Sequence, residues 1–187
     1  MKINADLTQR AVVNTNALPW IDSPMAGVQR RLLDRDGDEV ARATSLVRYA
    51  PGSYFSAHTH GGGEEFIVLE GVFSDEHGDF GPGTYVRNPV GSSHTPHSKD
   101  GATILVKLRQ MNPDDQQQVT IDTRRTDWGP GLVPGLQVLP LHSYGTEQVA
   151  LVNWAPGTQF QQHRHWGGEE IFVLDGTFAD EQGIYPQ

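Results

Sequence analysis

Short apolar segments recur along the chain at the length of β-strands. Four of them are ATSLVRYA (43–50), EFIVLEG (65–71), TYVRN (84–88) and ATILVKLRQ (102–110). They are rich in β-branched and aromatic residues and are bounded by Gly, Pro, Asp and Asn, which is typical of strands. No segment sustains a 3.6-residue apolar period, as an amphipathic helix would. The pattern therefore predicts an all-β protein, built as an antiparallel sandwich or barrel.

One acidic segment between predicted strands could be taken for a cation site. The sequence DRDGDEV at 34–40 resembles part of a calcium loop, but it lacks the ligand spacing and the final glutamate of an EF-hand. An Asp-Gly pair between two strands is instead a strong hairpin signal. We therefore predict a turn at Asp36-Gly37.

The chain repeats itself at an offset of 105 residues. Aligning 46–78 with 151–183 gives 19 identities in 33 positions, including HxH and GGEE. Self-similarity of this kind indicates a tandem duplication of one all-β unit. We predict a first domain at 1–111, a polar linker at 112–118 and a second domain at 119–187.

Composition narrows the choice of partners. The formal net charge is −9, and no basic stripe is available to neutralise phosphates, so binding to nucleic acid or to an anionic membrane surface is disfavoured. No run approaches the ~20 apolar residues of a membrane span, and the N-terminus has no apolar signal core, so we expect a cytoplasmic protein. The chain has no cysteine, which leaves its eight histidines and its carboxylates as candidate metal ligands.

The segment HTHGGGEEFIVLEG brings several of these groups together. Residues i and i+2 of a strand point to the same face, so His58 and His60 project together. The glycines that follow allow a sharp turn, after which Glu64 can return to the same cavity. A later Pro-Gly turn leads to His94. Three imidazoles and one carboxylate suit zinc, iron, manganese, nickel or copper better than calcium or magnesium.

Two spaced motifs carry a family resemblance. The first, G-x5-HxH-x3-E-x6-G, and the second, G-x5-P-x-G-x2-H, are filled by Gly52, His58, His60, Glu64, Gly71, Gly83, Pro89, Gly91 and His94. They resemble the two motifs of the cupin superfamily. The sequence around them, over about 40–110 and 145–187, resembles the cupin domain of ChrR-type anti-sigma factors. One departure is Ser98, which stands where an Asn often closes the second motif.

The resemblance implies tandem cupin barrels of six or more strands, with metal ligands at His58, His60, Glu64 and His94. ChrR-type cupins form the stress-sensing half of an anti-sigma factor. The resemblance therefore implies a regulatory role for this chain, and a sigma factor is its expected partner by resemblance only. No cysteine or helical segment precedes the cupin, and we expect no sigma-binding domain of its own. Related small cupins resemble iron dioxygenases that cleave carbon–carbon bonds of diketones or hydroxyacetophenones, which is the alternative.

Metal identity separates the two hypotheses. Zinc prefers four ligands, so three histidines and a carboxylate would saturate it and leave a structural or sensing centre. Iron or manganese prefers six, so the same groups would leave two positions for a substrate and dioxygen. We favour the regulatory hypothesis. We expect one divalent transition metal per complete site, with zinc as the first choice and iron, manganese and nickel as alternatives. A small-molecule ligand or substrate is compatible with both the regulatory and the dioxygenase hypothesis.

The second repeat carries only part of the site. His163, His165 and Glu169 match the first motif, whereas the counterpart of His94 would fall at position 199, beyond Gln187. We expect this second cupin to be incomplete at its C-terminus, and its site to be empty, partly occupied or completed by water or a foreign group.

Three further predictions concern packing. Strand alternation puts Glu65 on the face opposite Glu64, either pointing outward or supporting the site. His77, His97 and His142 are expected to be surface or hydrogen-bonded structural histidines. The two repeats should pack together as a pseudo-dimer, and exposed sheet edges leave room for a homodimer.

Overall fold

The computed structural model describes all residues from Met1 to Gln187, and its regular secondary structure is almost entirely β-strand. The one helical element is a single 3₁₀ turn at Thr15–Ala17, where the Asn14 side chain accepts a hydrogen bond from the backbone N–H of Asn16. None of the helical structure is long or apolar enough to span a membrane. The fold is all-β, as the sequence pattern predicts.

Nineteen strands follow one another along the chain. They are β1 (Lys2–Ile3), β2 (Ile21–Asp22), β3 (Val28–Gly37), β4 (Ala41–Tyr49), β5 (Ser53–Tyr54), β6 (His58–Thr59), β7 (Glu64–Gly71), β8 (Phe73–Asp75), β9 (Gly78–Phe80), β10 (Thr84–Asn88), β11 (Ser93–His94), β12 (His97–Ser98), β13 (Ala102–Leu108), β14 (Val119–Asp122), β15 (Gly129–Pro130), β16 (Leu136–Tyr144), β17 (Glu147–Trp154), β18 (Thr177–Asp180) and β19 (Gly183–Pro186).

The largest sheet has eight strands in the order β1-β3-β4-β13-β7-β10-β14, with β2 paired to β3 at the side. Its neighbouring strands run antiparallel. A second sheet has the order β5-β12-β8-β9, and β6 pairs with β11. The four predicted strand segments appear here as β4, β7, β10 and β13.

The core lies between the two larger sheets. Along β13, Ala102, Ile104 and Val106 are buried, and the residues between them are less so. Phe66 on β7 packs edge-on against Phe73 on β8, with ring centroids 4.8 Å apart. Ten buried residues form this cluster: Val28, Tyr49, Phe66, Val68, Phe73, Phe80, Val86, Ala102, Ile104 and Val106. The aromatic residues of the smaller sheet thus close the inner face of the larger one.

The turn between β3 and β4 lies further along the chain than predicted. Gly37, with φ +128°, still pairs with Ala41, and the turn is formed by residues 38–40. The N-terminal ammonium group contacts the Asp38 carboxylate at 2.6 Å, and Arg35 donates to the Asp38 carbonyl. These contacts hold Asp38 in the turn, because the charged terminus and the guanidinium both need partners there.

The second repeat builds fewer strands than the first. It contributes the sheet β15-β16-β17 and the hairpin β18-β19. No strand forms between Ala155 and Gly176, although the matching segment of the first repeat forms β6 and β7. In the first repeat β7 lies between β10 and β13. At an offset of 105 the counterparts of these two strands would fall after position 187, and in this structure the segment 155–176 pairs with no strand.

The two repeats pack together, as the pseudo-dimer prediction requires. Tyr85 of β10 shares a buried cluster with Leu139 and Leu141 of β16. Strand β14 follows the predicted linker but pairs with β10 over four residues and extends the first sheet. The first sheet therefore contains a strand from beyond the linker.

Candidate metal centre

Four predicted ligands come together at one end of the core. The antiparallel pairing of β6 and β11 sets His94 directly opposite His58. His60 follows two residues after His58, and Glu64 opens β7. One ligand atom from each of the four residues lies within 4.8 Å of the others. The structure thus brings together the residues that the two sequence motifs select.

Three of these four side chains are buried. His94 is 2% exposed, His60 5% and Glu64 7%, whereas His58 is half-buried. The ring centroids lie 4.7–5.1 Å apart, and the rings meet at steep angles of 72–77°, so they converge rather than stack. The centre therefore has a closed side within the core and a more open side at His58.

The ligand atoms of the buried histidines have no protein partner. Nε2 of His60 and Nε2 of His94 are both buried without a hydrogen bond. Each lies 3.5 Å from Oε1 of Glu64. Ligands bound at about 2.1 Å from one ion are about 3.4 Å apart in a tetrahedron and about 3.0 Å apart when adjacent in an octahedron. The spacing and the unpartnered nitrogens both fit a transition-metal ion.

The opposite nitrogen of each ring is hydrogen-bonded, which fixes its tautomer. Nδ1 of His58 lies 2.9 Å from the Ser56 carbonyl, which can only accept. Nδ1 of His94 lies 3.0 Å from Asp75 Oδ2, also an acceptor. Both rings must carry their proton on Nδ1, which leaves a lone pair on Nε2.

The third histidine reaches the same tautomer through a hydroxyl group. Nδ1 of His60 lies 3.0 Å from Oγ of Ser92. That hydroxyl donates its own proton to the Pro89 carbonyl at 2.6 Å, so it accepts from the imidazole. In their neutral form, all three histidines therefore present an unprotonated Nε2 to the centre of the cluster.

The glycine turn between His60 and Glu64 depends on close packing. Gly63 has a φ of +77°, and a Cβ built on it would lie 2.3 Å from Sδ of Met111. The backbone N–H of Met111 donates to the Gly62 carbonyl at 3.2 Å. A side chain at Gly63 would displace the turn, so glycine is required here for both conformation and space.

The electrostatics of the centre differ from one histidine to the next. Burial lowers the pKa of His60 below its usual value. Burial also lowers the pKa of His94, but the hydrogen bond to Asp75 and the charge of Glu64 outweigh it and leave that pKa raised. Asn88 on β10 lies opposite Glu64 in register, and its amide approaches Oε1 at 3.4 Å. The Asn88 amide thus donates to Glu64 from the neighbouring strand.

The second set of predicted ligands is arranged differently. Nε2 of His163 and Nε2 of His165 are 2.7 Å apart, and Nε2 of His165 lies 3.4 Å from Oε1 of Glu169. All three residues are exposed and lie in a segment without strands. The three residues are neighbours, but nothing comparable to the buried first site encloses them.

Sequence reasoning missed a buried ionic cluster on the other face of β7 and β10. Arg87 is fully buried and contacts Glu65 at 2.9 Å, Asp115 at 2.8 Å and Glu147 at 3.1 Å. His142 of β16 adds a 2.7 Å contact to Asp115. We call these five residues the Arg87 cluster. Glu65 does face away from the site, as predicted, but the second repeat covers it.

The three histidines outside both sets of predicted ligands lie away from the site. His77 is exposed, and its ring lies 3.4 Å from Asp75. His97 is exposed and pairs with Tyr54 across β12 and β5. His142, in contrast, is buried in the Arg87 cluster. All three are surface or hydrogen-bonded histidines.

Several solved structures have a similar fold. A candidate dioxygenase from Nostoc punctiforme has a TM-score of 0.61 at 16% identity, over 75% of this chain and 59% of that one. A candidate glyoxylate-induced protein from Pseudomonas aeruginosa has a TM-score of 0.56 at 13% identity, over 74% and 60%. The Rhodobacter sphaeroides structure of SigE with the anti-sigma ChrR gives 0.42 at 24% identity, over 51% of each chain. This chain spans about three fifths of the first two structures and half of the third.

Sequence comparison identifies the family. None of the curated proteins compared matches the chain. The ChrR cupin-like domain family matches it twice, over residues 8–112 and over residues 116–187. The two matches correspond to the two repeats and together cover nearly the whole sequence. The chain belongs to the ChrR cupin-like domain family.

Proposed function

We propose that this chain is a metal-binding cupin that holds one divalent transition metal at His58, His60, Glu64 and His94. The observation that carries the proposal is the pair of buried Nε2 atoms without hydrogen-bond partners, each 3.5 Å from one carboxylate oxygen. Buried nitrogens of this kind are costly unless something binds them, and an ion would satisfy both.

The role of the chain's own residues is to present ligands in a fixed orientation. Ser56, Asp75 and Ser92 hold the three Nδ1 atoms, so the lone pairs on Nε2 point at one place before any ion arrives. Preorganised ligands of this kind raise metal affinity. Zinc would be saturated by the four ligands, whereas iron, manganese or nickel prefers six and would supply open positions for a small molecule.

We further propose a regulatory role of the stress-sensing type. Membership of the ChrR cupin-like domain family supports this role. By that resemblance the partner would be a sigma factor. Zinc is the metal this proposal favours, because a saturated centre suits sensing or structure better than catalysis.

The alternative is a mononuclear iron dioxygenase that cleaves a carbon–carbon bond of a diketone or a hydroxyacetophenone-like substrate. Two observations favour it. His58 is only half-buried, so one flank of the centre is open to a small molecule. Among structures with a similar fold is a protein described as a candidate dioxygenase. In this alternative the open positions of the ion would take up substrate and dioxygen.

Metal analysis with matched variants tests both proposals. The protein is purified without added metal and its content measured by elemental analysis, for wild type, His94→Ala and the control His97→Ala. His97 is three residues further along the chain but exposed. We expect about one metal per chain in wild type and in the control, and loss of most of it in His94→Ala.

Oxygen uptake then separates the two functions. Bound zinc and no diketone-dependent uptake after iron reconstitution would support the regulatory proposal. Iron-dependent uptake that His94→Ala abolishes and His97→Ala retains would support the dioxygenase and overturn the regulatory role. Metal content that is near zero in wild type, or equal in all three proteins, would overturn the metal site itself.

A further inference from the structure

An aspartate outside the ligand set contacts the centre through His94. Asp75 ends β8, and its side chain is 3% exposed. Its Oδ2 lies 3.0 Å from Nδ1 of His94. Its Oδ1 accepts the backbone N–H of His77 at 2.7 Å, which caps the turn between β8 and β9. The two oxygens thus do two different tasks at once.

We infer that Asp75 is a positioning residue, which holds His94 in the one tautomer that can bind a metal. This inference rests on the proposed metal site. A carboxylate can only accept hydrogen bonds, so the proton of the imidazole must lie on Nδ1 and the lone pair on Nε2. Carboxylates behind metal-bound histidines typically contribute 10–100-fold to metal affinity.

The repeat supplies a reference position without this second task. Asp180 lies 105 residues after Asp75 and also ends a strand, β18. Its Oδ1 accepts the backbone N–H of Gln182 at 2.8 Å, as Oδ1 of Asp75 does with the N–H of His77. Its other oxygen lies 3.5 Å from Arg10 and contacts no imidazole. Turn capping is therefore shared by both aspartates, whereas the contact to a ligand histidine is confined to Asp75.

An asparagine at position 75 can perform only one of the two tasks. Its amide oxygen can still accept from the His77 N–H and cap the turn. The NH₂ group would then face Nδ1 of His94 and donate to it, which moves the imidazole proton to Nε2. A protonated Nε2 cannot bind a metal. At position 180 the same change keeps the capping oxygen and disturbs no histidine.

The experiment compares wild type, Asp75→Asn and Asp180→Asn by competition for Co²⁺ and for Zn²⁺ with a chelator of known affinity. Stoichiometry at saturating metal, the visible spectrum of bound Co²⁺ and the melting temperature of the metal-free proteins are measured alongside. We expect Asp75→Asn to weaken binding by about 10–100-fold, with an altered Co²⁺ spectrum. Asp180→Asn should bind like wild type, and the metal-free melting temperatures should differ little.

The outcomes distinguish the inference from the proposal on which it rests. Equal metal affinities in wild type and Asp75→Asn would overturn the role of Asp75 and leave the metal site standing. A wild type that binds no metal would overturn both. If Asp75→Asn does not fold, Asp75→Ser replaces it, because serine also caps turns but its hydroxyl does not force the Nδ1–H tautomer. Wild-type affinity in the serine variant would likewise overturn the role of Asp75.

Discussion

Replacing Arg87 with methionine should destabilise the whole protein, because one guanidinium holds three carboxylates from three parts of the chain. Glu65 belongs to β7, Asp115 to the predicted linker and Glu147 to β17. The guanidinium is fully buried, so no water replaces it when it is removed. Methionine keeps much of the length and volume of the arginine stem, so the change removes mainly the charge and its hydrogen bonds.

The burial of the partners sets the magnitude. Removing one member of a buried ion pair destabilises by roughly 3–5 kcal/mol, because the remaining charge stays buried without a partner. Asp115 is 2% exposed and Glu65 8%, so neither can turn to solvent without rearrangement. For a protein of this size, 1 kcal/mol corresponds to about 2–4 °C, so the melting temperature should fall by roughly 6–20 °C.

Chemical unfolding of metal-free protein at pH 7 measures the effect, with Glu170→Gln as the control. Glu170 also pairs across the repeats, with Lys107, but its side chain is 53% exposed. An exposed pair contributes about 0–1 kcal/mol, so the control should resemble wild type. In the double variant Arg87→Met/Glu147→Gln, removal of one unpaired carboxylate should restore part of the loss.

Two results would refute this reasoning. If Arg87→Met stays within about 1 kcal/mol of wild type, the cluster does not hold the repeats together as its burial implies. If Glu170→Gln destabilises as much as Arg87→Met, exposed and buried contacts between the repeats contribute equally to stability, and burial does not set the size of the effect.

Three further predictions concern the glycine turn at Gly63, metal binding by the second repeat and stability at low pH. Gly63→Ala should destabilise the protein by roughly 1–3 kcal/mol because the new methyl group overpacks against Met111. Gly52 has a similar φ of +75° but free space around it, so Gly52→Ala should show only the smaller loss of stability that comes from backbone conformation. Denaturant unfolding of both variants measures the difference. His163→Ala should leave the metal content of purified protein unchanged, and a proportional loss would contradict a dominant first site. Burial raises the pKa of Asp115, but the hydrogen bonds from His142 and Arg87 outweigh it and leave that pKa lowered. Its stabilising contribution is therefore complete above its ordinary value of 3.8 and is lost as the pH falls through the folded pKa, and unfolding curves from pH 6 to pH 2 should show a smaller loss in Arg87→Met, because the folded pKa of Asp115 is lowered less without the guanidinium.

Local pattern was sufficient to predict four of the five longest strands of the first repeat. The segment 84–88 corresponds to β10 without change, and 65–71 differs from β7 by one residue. The predicted segment 102–110 ends early, at Leu108, because Arg109 adopts a φ of +61° that a strand cannot contain. Alternation also separated Glu64 from Glu65 correctly. These features depend on neighbours in sequence, which the pattern records.

Contacts between distant segments could not be predicted in this way. Alternation shows that Arg87 points away from the core, but it does not show that β16 and β17 cover that face. Sequence reasoning did not select Asp75. Its contact with His94 spans 19 residues and depends on how the small sheet packs. The four candidate ligands, in contrast, could be selected because a spaced motif already encodes their convergence.

The Arg87 cluster also has a consequence for the order of events on the ribosome. Arg87 is synthesised 28 residues before Asp115 and 60 residues before Glu147. At about 5–20 residues per second, the second of these partners follows roughly 3–12 seconds later. From His94 onward, seven residues beyond Arg87, the nascent chain carries all four candidate ligands of the first site. These residues are thus complete while Arg87 has only Glu65 of its three carboxylate partners, and an ion captured early would stabilise the first barrel until the second repeat emerges.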